Sequence, residues 1–238
     1  MRIAQVANFV HPTSGGIGTA MHSLGIEYTR LGHEVIEVVP ESGDAHFDHR
    51  HPYRQTVASV RLPLSGGYRI VVRRVELARV LEEFRPDIVE LHDKSTLYWL
   101  PGWCRSRGIT CIVFSHERTD LVPDGRTILA RPLRVAISAA RRRIETEAEA
   151  IVCASAFAAA EFDPVVGGAP VHIIPLGIDL DMFAPVGIDR SWGTPLRVVM
   201  CNRLSAEKGV LEAVRGLVEL SRGVPVSLTV MEIGRAHV

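Results

Sequence analysis

At 238 residues, 47% of them apolar, the chain carries enough hydrophobic side chain for a large core, which excludes a disordered polypeptide. Basic and acidic residues both number 27, so the formal net charge is zero and a general nucleic-acid binder is not expected. Cys104, Cys111, Cys153 and Cys201 are scattered without a CxxC pair, and read as small core residues of a protein kept in a reducing compartment.

Short Val- and Ile-rich runs alternate with longer helical patterns. Residues 3–9 read as a first strand, too quickly polar for a signal peptide. The turn Ser14-Gly15-Gly16-Ile17-Gly18 leads into a helix over 18–31, which Gly32 stops. Strands over 34–39 and 57–62 precede a helix over 68–84, closed by Pro86. A strand at 87–91, a helix at 95–107 ended by Gly108, and a strand at 109–114 come next. A helix over 126–147, a strand at 150–153, a short helix at 157–162 and a strand at 171–174 complete the series. Several strands lack polar alternation, as parallel strands buried on both faces require. The pattern predicts an α/β fold with a doubly wound parallel sheet, here a Rossmann-like domain over 1–177. No apolar run approaches the roughly 20 residues that span a bilayer, so a cytoplasmic protein, at most peripheral to a membrane, is expected.

Residues 178–195, rich in Pro and Gly, read as a linker. A strand at 196–201, a helix at 207–220 and a strand at 224–231 then open a second Rossmann-like unit. Its roughly 40 residues are too few to close a core. The tail Glu232-Ile233-Gly234-Arg235-Ala236-His237-Val238 reads as the in-frame translation of a sequencing adapter, so the natural protein is expected to continue past about residue 231.

The strongest chemical signal is Arg203-Leu204-Ser205-Ala206-Glu207-Lys208-Gly209, which follows the strand at 196–201. Two cations five residues apart at a helix start favour an anion, because the first N–H groups of a helix are unpaired; phosphate or diphosphate is expected. The turn at Gly15 and Gly16 also lies between a strand and a helix, where glycine lets backbone approach a ligand. Ser115-His116-Glu117-Arg118 closes the strand at 109–114, and His92-Asp93 closes the one before it. Ligands of open α/β sheets gather at such ends, so His116 is a candidate for a substrate hydroxyl, with Glu117 or Arg118 to orient it. Asp179-Leu180-Asp181 has the spacing of a carboxylate metal pair, but its Pro/Gly setting suits a turn cap, with Phe183 packed in the hinge; no metal is expected. His11, His22, His46, His49 and His51 show no regular ligand spacing.

Taken together these residues resemble glycosyltransferase family 4, the retaining enzymes of GT-B fold. The features run in order: Gly15-Gly16, His116, Pro175-Leu176-Gly177-Ile178-Asp179 with Phe183, and Arg203 to Lys208-Gly209, which matches the family's Arg-x4-Lys-Gly. Within the family, Gln5-Val6-Ala7-Asn8-Phe9, Ser14-Gly15-Gly16, Gly66-Gly67-Tyr68-Arg69 and Ser115-His116-Glu117-Arg118 are similar to the actinobacterial GDP-mannose-dependent phosphatidylinositol mannoside mannosyltransferases. The resemblance implies a nucleotide-sugar donor, GDP-mannose, and a lipid or glycolipid acceptor. It implies that Arg203 and Lys208 hold the donor diphosphate, that Gly15 and Gly16 approach it from the other domain, and that His116 touches the transferred sugar. It also implies that 1–177 is the acceptor side and 196–231 the start of the donor side. The family's Glu-x7-Glu segment would lie beyond residue 231, so little activity is expected of this chain alone.

The remaining charge is uneven. Residues 61–79 carry Arg61, Arg69, Arg73, Arg74 and Arg79 against the single acid Glu76, and 126–143 hold a second arginine-rich run. Solvated helix faces explain most such runs. Arg69, Arg73, Arg74 and Arg79, with Val71, Val72 and Leu77 between them, also suit an anionic membrane surface. Other readings stay open: a GT-B transferase with another donor such as UDP-glucose and a soluble acceptor, a nucleotide-sugar epimerase, or a non-catalytic nucleotide-binding module.

Overall fold

The computed structural model describes residues 1–10, 16–41, 53–62, 68–118, 130–162, 168–184, 195–202, 204 and 208–231. The chain divides into two units, Met1–Gly177 and Ile178–Val238.

The first unit runs β1 (Arg2–Val6), α1 (Gly16–Arg30), β2 (Glu34–Pro40), β3 (Arg54–Val57), β4 (Val60–Arg61), β5 (Arg69–Ile70), α2 (Arg74–Phe84), β6 (Ile88–Leu91), α3 (Leu100–Arg105), β7 (Thr110–Ser115), α4 (Ala130–Glu147), β8 (Ala150–Cys153), α5 (Ala156–Ala159) and β9 (Val171–Ile173). Its main sheet has the order β3-β2-β1-β6-β7-β8-β9, with every pairing parallel. The expected α/β architecture is present. Strand order reverses between β1 and β6, and the carboxyl ends beside that switch are where such sheets bind ligands.

Local sequence explains the helices that cover the sheet. In α2 the buried residues Leu77, Leu81 and Phe84 recur at helical spacing and face Val89 and Leu91 of β6. The helix stops at Arg85, whose φ of 52° turns the chain left-handed while its N–H reaches the Leu81 carbonyl. Pro86 then forbids another turn. In α3, Leu100 and Cys104 sit one turn apart against the same core. Each fully buried aliphatic side chain of this kind contributes roughly 1.5–3 kcal/mol.

One row across the sheet is polar instead. Gln5 of β1 is in register with Glu37 of β2 and with Glu90 of β6, and all three are buried. In-register parallel strands point paired side chains to one face, so the three groups share a surface. The Arg54 guanidinium donates to Glu37 Oε2 at 2.6 Å, and the Tyr28 hydroxyl donates to Glu90 Oε1 at 2.7 Å. Burial, followed by the charge and hydrogen bond of Glu90, pushes the Tyr28 hydroxyl pKa well up.

Some predicted boundaries shift. The helix expected over 68–84 begins only at Arg74, because Arg69–Ile70 pairs antiparallel with Val60–Arg61. The β-branched run Ile70-Val71-Val72 favours the extended chain, and the Arg69 guanidinium donates to the Ser59 hydroxyl and carbonyl. For the same reason the strand expected over 57–62 is split between β3 and β4. The helix expected over 95–107 shortens to α3, since Asp93 first gathers the Ser95 and Thr96 backbone N–H groups into a turn. Residues 126–129 of the predicted helix at 126–147 lie outside the described residues. Cys104, Cys111 and Cys153 are buried as expected, whereas Cys201 is exposed.

In the second unit β10 (Leu196–Cys201) pairs in parallel with β11 (Val226–Met231), and α6 (Val210–Leu220) connects them. No described residue of α6 is buried, and Val199, Leu211 and Val218 stand more than half exposed. Two strands and one helix cannot cover their own apolar faces. The helix expected from residue 207 begins at Val210, because Gly209 ahead of it is left-handed at φ 62°. Asp179 Oδ1 accepts from the Asp181 and Met182 backbone N–H groups at 2.9 and 3.0 Å, which makes it a turn cap. Phe183, expected to pack in the hinge, is instead 64% exposed. Residues 185–194, most of the predicted linker, and residues 232–238 lie outside the described residues.

Candidate active site

The carboxyl ends of β1, β6 and β7 bring together a dense set of polar side chains. Asn8, fully buried just past β1, ties three segments: its Nδ2 donates to Thr96 Oγ1 at 2.7 Å, and its Oδ1 accepts from the Val71 N–H at 2.9 Å. The next residue, Phe9, has φ 57°, a conformation bulky side chains rarely hold, and its ring meets Tyr68 edge-on at 5.9 Å.

Past β6, Asp93 accepts from the Ser95 and Thr96 N–H groups and from both hydroxyls, and so fixes that turn. Lys94 turns inward and is nearly buried. Its Nζ donates to Ser115 Oγ at 2.6 Å, to Glu161 Oε2 at 2.5 Å and to the Glu117 carbonyl. Glu161 is 2% exposed, so this is a desolvated ion pair, and a saturated one, with all three ammonium donors used. The clamp joins the ends of β6 and β7 to the segment after α5.

His92, also past β6, is buried with its ring against Phe114, centroids 4.6 Å apart. His92 Nδ1 lies 2.9 Å from His116 Nε2. His116 stands half-buried just beyond β7, as its place in the sequence implied. Burial, then the charges of His92 and Lys94, push its pKa down to about 4. The ring is therefore neutral near pH 7 and suited to hydrogen bonding with a hydroxyl.

Next to His116, the Glu117 backbone carbonyl accepts from Lys94, and the Arg118 guanidinium lies over the Phe157 ring at 5.3 Å. The partner that holds His116 is His92. Lys94, Glu161 and Glu90 carry no motif signal in the sequence, and Asn8 enters there only within the run Gln5-Val6-Ala7-Asn8-Phe9. Polar residues inside apolar strands, such as Gln5, Glu37 and Glu90, were the available signal.

Gly16 opens α1, and a Cβ there would meet nothing within 4 Å, so the surrounding structure does not itself demand glycine. Gly18 is more constrained, with a Cβ only 3.3 Å from Val10 Cγ1. In the second unit Lys208 is exposed immediately before Gly209 and α6. Gly15, Arg203, His11, His46, His49 and His51 lie outside the described residues. Among the described residues no group of His, Cys, Asp and Glu is arranged to hold a metal ion.

The model of the Glycosyltransferase Family 4 family matches residues 14–182, a span that contains Gly15, Gly16, the strand-end histidines and the Lys94 clamp. The chain belongs to glycosyltransferase family 4. Two curated relatives, each named GDP-mannose-dependent alpha-(1-6)-phosphatidylinositol dimannoside mannosyltransferase, come from the H37Ra and CDC 1551 strains of Mycobacterium tuberculosis. Each is 36% identical to this family 4 chain over 227 residues, covering 92% of it and 59% of the relative. The chain thus spans about three-fifths of the length of the curated relatives it matches. Among solved structures, sucrose-phosphate synthase from Thermosynechococcus elongatus superposes with a TM-score of 0.65 at 16% identity, over 96% of this chain and 61% of that one. Anabaena HepE in complex with UDP gives 0.66 at 15% identity, over 96% and 60%. At such identities these structures establish that the family 4 chain shares the GT-B glycosyltransferase fold.

Proposed function

We propose that this family 4 chain is part of a retaining mannosyltransferase that moves mannose from GDP-mannose to a phosphatidylinositol mannoside-like lipid on the cytoplasmic face of a membrane. The observation that carries the reading is the 36% identity, over 92% of the chain, to enzymes named for that donor and acceptor. Arg203 and Lys208 hold the donor diphosphate and neutralise the charge that develops as it leaves. Gly15 and Gly16 bring backbone N–H groups to the ligand, and the empty space in front of Gly16 supports that role. His116 receives a hydroxyl of the transferred sugar. Catalysis is then chiefly orientation and stabilisation of the leaving group, with no metal called for.

A donor panel checks this. In the enzyme carrying an intact Glu-x7-Glu segment, GDP-mannose is expected to be turned over in preference to UDP-glucose. Arg203→Ala and Lys208→Ala are each expected to weaken donor binding by about 10- to 150-fold, the equivalent of ~1.5–3 kcal/mol per charge-assisted contact. Preference for a uridine donor would overturn the assignment. Residues 1–238 alone are expected to show little turnover, and robust turnover by them would end that part of the reading.

The basic surface is narrower than the sequence suggested. Leu77 is fully buried in the core, and Arg69 is half-buried with its guanidinium on Ser59. Arg73, Arg74 and Arg79 remain exposed, beside Val72 and Val75. These five residues form the membrane-facing patch on this reading. Sedimentation with anionic vesicles, lost in high salt and absent with neutral vesicles, is the expected result; equal binding to both vesicle types would discard it.

A further inference from the structure

The site contains a chain of polar groups that reaches His116 from the middle of the sheet. Glu90, buried on β6, accepts from the Tyr28 hydroxyl at Oε1 and from Gln5 Nε2 at Oε2, at 2.7 and 3.0 Å. Two donors on its two oxygens suit an ionised carboxylate, which only accepts. His92 Nε2 lies 3.5 Å from that same Oε2, is sealed from solvent, and makes no hydrogen bond. A nitrogen lone pair aimed at a buried carboxylate would be repelled, whereas an N–H is attracted. In a neutral His92 the single proton therefore sits on Nε2, and Nδ1 carries the lone pair.

The next contact transmits that choice. His92 Nδ1 and His116 Nε2 are 2.9 Å apart, and the two ring planes lie within 18° with centroids 5.2 Å apart, the edge-to-edge placement an N–H···N bond needs. Between two neutral rings one nitrogen must donate. With a lone pair at His92 Nδ1, the donor is His116 Nε2–H. A neutral His116 then has its own lone pair at Nδ1, which has no hydrogen bond among the described residues. Phe114, stacked on His92 at 16°, keeps the relay in plane.

We propose that Glu90 and His92 are positioning residues that fix the His116 tautomer, so that its outer nitrogen, Nδ1, is a hydrogen-bond acceptor matched to a sugar hydroxyl. The tautomer assignment stands on this geometry alone; its use for a donor sugar rests on the mannosyltransferase reading. The relay also excludes His116 as a hydrogen-bond donor to the ligand at neutral pH, and it separates a hydroxyl from a carbonyl or phosphate oxygen as the group received.

Histidine-selective 15N labelling of the 238-residue protein, with long-range proton–nitrogen correlation at pH 7, reads the tautomers directly. His92→Phe and His116→Gln assign the two rings by loss of signal. The expected spectrum shows both rings protonated at Nε2, each with a pyridine-type resonance at Nδ1. A His116 ring protonated at Nδ1, or a doubly protonated His92, would overturn the proposal. Glu90→Gln removes the charge and is expected to shift both rings away from the pure Nε2–H signature; an unchanged pair of spectra in the folded variant removes Glu90 from the relay. If that variant does not fold, the unmodified protein still decides the tautomers. No donor is added in any of these measurements, so failure of the GDP-mannose assignment leaves their outcome intact, and the reverse holds too.

Discussion

Lys94→Met is expected to lower the stability of the N-terminal unit by about 3–5 kcal/mol, the range found when one partner of a buried ion pair is removed. The variant removes the Lys94 ammonium from Glu161, a carboxylate only 2% exposed, and also strips a donor from Ser115 Oγ and the Glu117 carbonyl. Such a loss is a large part of the 5–15 kcal/mol that holds an ordinary domain together. Trp99 and Trp103, beside and within α3, report the unfolding of this unit in a urea titration. Replacing both partners, Lys94→Met with Glu161→Leu, is expected to recover most of the loss, because the buried carboxylate is then no longer set against the apolar side chain that replaced Lys94. A single variant within 1 kcal/mol of the unmodified protein would show that Glu161 is not dependent on Lys94.

The second large effect is on pH. His116 has its pKa pushed down to about 4 by burial and by the charges of His92 and Lys94, against about 6.5 for a free histidine. Above pH 6.5 the ring is neutral in both folded and unfolded chains and contributes nothing to the slope. As pH falls below 6.5 the unfolded chain takes up a proton that the native state resists. The unfolded state then binds more protons, so stability falls with falling pH, and the loss is complete once pH passes below about 4. Integrated over that window it amounts to roughly 2–3 kcal/mol. His116→Gln removes this term, so the stability difference between variant and parent should change by that amount between pH 6.5 and 4 and stay level above it. A constant difference across the window would mean that His116 titrates alike in both states.

Much of the fold was legible because hydrophobic periodicity is local. The runs at 150–153 and 196–201 are short and rich in apolar residues, and the strands form with those bounds. Helix ends marked by Gly32 and Gly108 are visible for a stereochemical reason, since both residues adopt positive φ. Misplaced boundaries have a common origin. At Arg69–Ile70 the antiparallel pairing with Val60–Arg61 outweighed a helical pattern of side chains. Near Ser95 a side chain, Asp93, captured the backbone N–H groups that a helix would have used.

For the candidate site, position along the chain indicated His92 and His116, because each follows an apolar run at the end of a parallel strand. Their contact with one another was not legible, and neither was the Lys94–Glu161 pair, whose members are 67 residues apart. Glu90 was visible only as an acid inside an apolar strand, a signal that does not reveal which groups will face it.

The amino-acid sequence by itself determined the alternation of strands and helices, the parallel sheet, and the motifs that resemble family 4, since each depends on residues close together in the chain. Only the tertiary structure decided that Gln5, Glu37 and Glu90 share one row, that Lys94 closes on Glu161, and that His92 holds His116. Those partnerships follow from strand register and from the order β2-β1-β6-β7, which crossovers create and no local pattern records.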